Sequence, residues 1–191
     1  MTRIAIFASG TGSNAARIIE YFRNHGSTGV TLIVCNNAAA GVLQIAAREN
    51  IPSLLIEKEQ FFRGDGYVPL LKSKQIDFIV LAGFLWKIPS TILSAFPNCI
   101  INIHPALLPN YGGKGMYGSN VHAAVLNAGD KVSGITIHYV DEHYDNGDVI
   151  FQDKVEVLPS DTPESLAEKI HRLEYEHFPR VIDQVVSLRN Q

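Results

Sequence analysis

The chain has 191 residues, 46% hydrophobic and 18% charged, a balance that suits one domain burying a sizeable core. Sixteen Lys and Arg stand against nineteen Asp and Glu, for a formal charge of -3, so no global basic field exists and nucleic acid is not expected as the main ligand. A small anionic metabolite stays open, because backbone N–H groups and a helix terminus bind anions without net positive charge. The opening residues MTRIAIFASG enter a strand directly, without the basic start and apolar core of a secretory signal, which predicts a cytoplasmic protein. Apolar runs reach only about 7 residues, far below the ~20 needed to cross a bilayer. Cys35 and Cys99 border apolar runs and read as buried free thiols.

Strand-like and helical patterns alternate along the first two thirds of the chain. A strand is predicted over Ile4 to Ala8, a helix over Asn14 to Arg23, a strand over Val30 to Cys35 and a helix over Leu43 to Glu49. Ser53 to Ile56 follows as a strand, Tyr67 to Ser73 as a weak helix, and Phe78 to Ala82 as a continuous apolar strand. A short helix after Pro89 and a strand over Ile100 to Ile103 complete the series. Such strands suit a parallel sheet covered on both faces. After a helix over Ala123 to Asn127 the pattern changes to alternation over Gly134 to Val140 and Val149 to Val157, an antiparallel addition joined by a turn at Asp145-Asn146-Gly147. Ser160 to Glu164 supplies capping side chains and a first-turn proline for a long helix to Leu188, which Pro179 is expected to kink or break. The fold class is therefore α/β: one doubly wound, mostly parallel, Rossmann-like sheet with antiparallel C-terminal strands and a long C-terminal helix.

Ser9-Gly10-Thr11-Gly12-Ser13-Asn14 lies between the first strand and the first helix, where glycines let the backbone approach a phosphate and the helix start offers free N–H donors. With Ala15 the string also satisfies a dinucleotide fingerprint. The second strand, however, ends Val34-Cys35-Asn36-Asn37, without the acid that would hold a ribose. A purely structural role, a tight turn with Ser13 or Asn14 capping the helix, is the alternative.

Asn102 and His104 close an apolar strand and, two residues apart, point to one side; Pro105 then stops the ladder. Ligands sit at the carboxyl ends of parallel strands, so this pair and the glycine turn share one sheet edge. A histidine acts as an acid only if a carboxylate favours its charged form, and Asp145, in the polar loop between the last two strands, is the candidate. Turn formation is its alternative role. His138 shares a strand face with Thr136 and reads as structural before it reads as part of the site. No histidine spacing suits a metal, so metal-free chemistry is expected.

Together SGTGSN, LAGF with LWKI, INIHPALLP and DEHYDNGDVI resemble the folate-dependent glycinamide ribonucleotide formyltransferase family over nearly the whole chain. The resemblance implies one domain over 1–191, with a phosphate- and nucleotide-binding half to about residue 100 and a catalytic, folate-binding half beyond. It implies that Gly12, Ser13, Asn14 and Glu174 bind phosphoribosylglycinamide. Arg63, Leu85, Trp86, Lys87, Ile88 and Asn102 would meet 10-formyltetrahydrofolate, the co-substrate. Trp86 stands where the family has arginine, free to pack on the pterin or on the protein. The resemblance also implies a cis peptide at Leu108-Pro109 and, at Tyr111 to Gly118, a glycine-dense loop able to act as a lid.

Catalysis would fall to Asn102, His104 and Asp145, with Asp145 raising the His104 pKa so that a cationic imidazole and the Asn102 amide steady an oxyanion. The small-molecule substrates are the expected partners, without nucleic acid or membrane, and a homodimer is the assembly considered. Related enzymes that formylate methionyl-tRNA or hydrolyse formyl-folate carry further domains for which 191 residues leave no space. A non-catalytic nucleotide-binding module is the alternative from another class.

Overall fold

The computed structural model describes residues 1–64 and 67–189. The parallel strands are β1 (Thr2–Ala8), β2 (Thr28–Cys35), β3 (Ser53–Leu55), β4 (Phe78–Leu81) and β5 (Ile100–His104). β6 (Val132–Tyr139) and β7 (Val149–Glu156) add antiparallel, giving a seven-stranded sheet ordered β3-β2-β1-β4-β5-β6-β7. The central strands are fully buried and therefore apolar at successive positions rather than at alternate ones, as Phe78-Ile79-Val80-Leu81 shows. β7 alternates between exposed and half-buried positions, as an edge strand does.

Helices α1 (Ser13–Phe22), α2 (Gly41–Arg48), α3 (Lys58–Phe62), α4 (Val68–Ser73), α5 (Ser90–Ala95), α6 (Ser119–Ala128) and α7 (Pro163–Arg189) complete the fold. α3 has no periodic signature in the sequence, because its apolar residues Phe61 and Phe62 are adjacent and show no helical period. Boundaries elsewhere shift by one to four residues, α6 most, since Ser119 and Asn120 carry no apolar signal.

Pro179 does not break α7, which runs without interruption from Pro163 to Arg189. Proline there removes one helical hydrogen bond, but it is buried beside Phe178, Val181 and Ile182, and core burial on this scale outweighs the loss. At the start of α7, Thr162 and Ser165 cap reciprocally: each backbone N–H donates to the other's hydroxyl, at 3.0 and 3.3 Å.

The strand order reverses between β1 and β4, so their carboxyl ends diverge and leave a crevice that β5 extends. That switch point positions the site.

Candidate active site

A cavity of about 590 Å³ opens along this edge, within the range of small-molecule sites. Its lining combines the glycine turn (Ser9 to Asn14), Ala82 to Leu85 after β4, Asn102 to Pro105, the loop 113–118, and His122, Tyr144, Asp145, His171 and Glu174. Both halves of the chain thus wall one space.

At the glycine end, Gly12 adopts φ +82° as the residue before α1. A Cβ there would lie 2.8 Å from the Val42 Cα, so glycine lets α2 pack against the turn. Around Gly10 no described atom comes within 4 Å of a Cβ position, leaving open space beside the backbone. Neither Ser13 nor Asn14 caps α1, so the capping role fails, and the helix start keeps its donors available to an anion. Asn14 instead donates through Nδ2 to Glu174 Oε2 at 2.8 Å, joining the turn to α7. Glu174 is only 6% exposed, and burial raises its pKa against the opposing pull of Asn14 and His171.

At the other end, antiparallel register sets Asn102 opposite His138. The β6–β7 ladder shifts register beside His138, a bulge of the kind found near functional sites. His138 Nδ1–H donates to the Tyr139 carbonyl at 2.7 Å, which leaves Nε2 as an acceptor. Asn102 Nδ2 fills that acceptor at 3.1 Å and also donates to Asp145 Oδ1 at 3.4 Å. The histidine tautomer thereby orients the amide. His138 is a fourth member of the cluster rather than a purely structural residue, and its place two residues beyond Thr136 on a strand face is the sequence signal for it.

Asp145 sits at φ +52°, a left-handed conformation uncommon for non-glycine residues, and this turns its carboxylate inward. Its Oδ2 lies 3.6 Å from His104 Nδ1 and accepts the Gly113 N–H at 2.9 Å, while Oδ1 lies 3.7 Å from His138 Nε2. His104 Nε2–H donates to the Tyr111 carbonyl at 2.7 Å. Burial works to raise the Asp145 pKa, but His138, His104 and the Gly113 amide outweigh it and hold the carboxyl below its usual range.

The expected cationic His104 needs correction. The imidazole is 3% exposed, and burial lowers its pKa despite Asp145 and the Tyr111 carbonyl, both of which pull upward. The two partners therefore do not both favour charge. In the free protein an ionised Asp145 faces a neutral His104.

The residues assigned to folate divide. Leu85 lines the cavity, held by its N–H donating to Ser9 Oγ at 2.9 Å. Trp86 turns the other way and packs on the protein, 5.6 Å from both Phe61 and Phe62. Ile88 is buried in the core, and Lys87 reaches the rim, its Nζ 6.0 Å from the Tyr144 ring. Arg63 is exposed and pairs with Glu59 at 2.5 Å, away from the cavity lining. Leu108-Pro109 is cis. No cluster of three or more His, Cys, Asp or Glu suited to a metal occurs among the described residues, and none of their helices is long and apolar enough to cross a membrane.

The formyl transferase family pattern matches residues 2–182. Phosphoribosylglycinamide formyltransferase of Bacillus subtilis is 36% identical over 196 residues, covering 100% of this chain and 98% of that protein. The chloroplastic phosphoribosylglycinamide formyltransferases of Arabidopsis thaliana and Vigna unguiculata are each 40% identical over 98% of this chain, which spans 66% and 62% of their lengths. The crystal structure of phosphoribosylglycinamide formyltransferase from Bacillus halodurans superimposes with a TM-score of 0.87 at 36% identity, covering 97% of this chain and 96% of that one. The family pattern spans the glycine turn, the strand-end carboxamide and imidazole, and the facing carboxylate, and this chain belongs to the formyl transferase family.

Proposed function

We propose that the chain transfers the formyl group of 10-formyltetrahydrofolate to the amine of phosphoribosylglycinamide, releasing the N-formyl nucleotide and tetrahydrofolate, a step of purine biosynthesis. The observation that carries this reading is one cavity with an anion cradle at one end and the Asn102, His104 and Asp145 cluster at the other. Gly12, Ser13 and Asn14 take the phosphate through backbone N–H groups, and Glu174 meets the sugar beside them. The folate side is walled by Phe84, Leu85 and Tyr144, an apolar surface suited to a flat heterocycle.

The neutral amine attacks the formyl carbon, and the carbonyl electrons move onto oxygen. Asn102 Nδ2 donates to that oxyanion by releasing its long 3.4 Å contact with Asp145. The nitrogen that attacked now carries a surplus proton. His104 is neutral and binds Tyr111 through Nε2–H, so its Nδ1 holds the basic lone pair and takes this proton. The new imidazolium lies 3.6 Å from ionised Asp145, which steadies it. The proton then passes to the folate nitrogen as its bond to the formyl carbon breaks. Asp145 remains a carboxylate throughout.

In this reading the two halves of the chain share the substrates, the reaction is cytoplasmic, and a homodimer is the assembly that light scattering tests. The decisive experiment mixes protein, phosphoribosylglycinamide and 10-formyltetrahydrofolate and follows folate absorbance. Turnover that needs both substrates is expected, and Asp145→Asn lowers it ~10²-fold or more with nucleotide affinity retained. Wild-type protein that binds nucleotide but forms no tetrahydrofolate refutes the reading.

A further inference from the structure

His122 is a buried titratable group that the formyl-transfer chemistry leaves unused. It stands on α6, 3% exposed, in the wall of the same cavity. Its Nδ1 is sealed from solvent with no hydrogen-bond partner, and neither ring nitrogen is bonded among the described residues. The sealed Nδ1 stays unpaired, whereas Nε2 has no protein partner in a residue that lines the cavity, so it is the ring nitrogen that a bound partner can reach.

The surroundings define that partner. His171 and Glu174 of α7 share this part of the wall, and Glu174 holds Asn14 of the glycine turn. On the catalytic side His104 is close enough to act on His122 electrostatically, as His171 is on the other. His122 therefore shares the cavity wall with His171 and Glu174 of the anion end and with His104 of the catalytic end. Burial, reinforced by both histidines, holds its pKa down at about 4, so the ring is neutral and carries a single N–H. A sealed lone pair is better tolerated than a sealed N–H, which puts the hydrogen on Nε2 and leaves Nδ1 as the silent acceptor.

We propose that His122 is a nucleotide-binding residue whose Nε2–H donates to an acceptor oxygen of the phosphoribosyl group. This rests on the formyl-transfer reading for the identity of the ligand. Leucine at this position removes the donor, glutamine keeps an N–H near the Nε2 position, and asparagine does not reach it.

His122→Leu is expected to raise the KM and Kd for phosphoribosylglycinamide about tenfold to a hundredfold, the scale of one lost hydrogen bond to a charged group. The KM for 10-formyltetrahydrofolate and kcat stay within a few-fold. His122→Gln recovers most of the nucleotide affinity and His122→Asn does not. In the wild type, histidine ¹⁵N spectra show a neutral ring protonated at Nε2 whose resonance moves when nucleotide binds; this measurement stands even if a variant fails to fold. Nucleotide affinity within twofold of wild type in folded His122→Leu, a glutamine variant as weak as leucine, or a His122 resonance indifferent to nucleotide each overturns the proposal. Those failures occur in an enzyme whose wild type transfers formyl groups, whereas an inactive wild type overturns the formyl-transfer reading itself.

Discussion

Burial of His122 makes the stability of this protein depend on pH in a way that one substitution removes. An unfolded histidine takes up its proton near pH 6.5, while folded His122 resists until about 4. Between those values the unfolded state binds more protons, so this group's contribution to stability is lost as the pH falls through 6.5 toward 4. Burial is the largest cause of the lower value, and His171 on α7 and His104 on β5 add to it. Glu174 is the acid on the α7 side, and its own burial raises its pKa and so weakens the attraction it offers. Integrating the proton linkage from pH 7.5 to pH 5 gives a loss of about 2 kcal/mol from His122 alone. His122→Leu cannot take up this proton. Urea unfolding at the two pH values should show the wild type losing about 2 kcal/mol more than the variant, which also gains at pH 7.5 from deleting an unpaired buried group. Parallel losses in the two proteins would refute the reasoning, since the ring would then be charged or solvated in the native state.

His104 is expected to titrate in the free protein below pH 6.5, and in Asp145→Asn to titrate lower still, because the carboxylate is the strongest influence raising its pKa. NMR of the ring resonances follows both, and a midpoint above 6.5 in the wild type would contradict a neutral resting imidazole. Gly12→Ala must bear φ +82° and contacts of 2.8 Å with Val42, so destabilisation of about 2–4 kcal/mol is expected, with a Tm fall of about 5–15 °C. Gly10→Ala meets open space and should leave Tm nearly unchanged; equal melting of the two variants would show that the α2 contact does not set the glycine requirement.

The chain order of strands and helices, the buried parallel sheet and the antiparallel extension were legible in the sequence, because a strand covered on both faces must be apolar at every position and an edge strand only at alternate ones. The glycine turn and the Asn102 and His104 pair were legible for a similar reason: polar residues that end an apolar strand land at the sheet's carboxyl edge. Other features depend on distance through space, which spacing along the chain does not encode. Asp145 reaches His104 only because the loop 140–148 folds back with Asp145 in a left-handed conformation, and His138 meets Asn102 through antiparallel register. Leu85 and Trp86 are neighbours in sequence, yet one enters the cavity and the other joins Phe61 and Phe62, a choice made by the packing around each. The charge state of His104 was decided by tertiary structure alone, because burial and a nearby carboxylate pull in opposite directions and only the assembled fold determines how much water is lost from the ring.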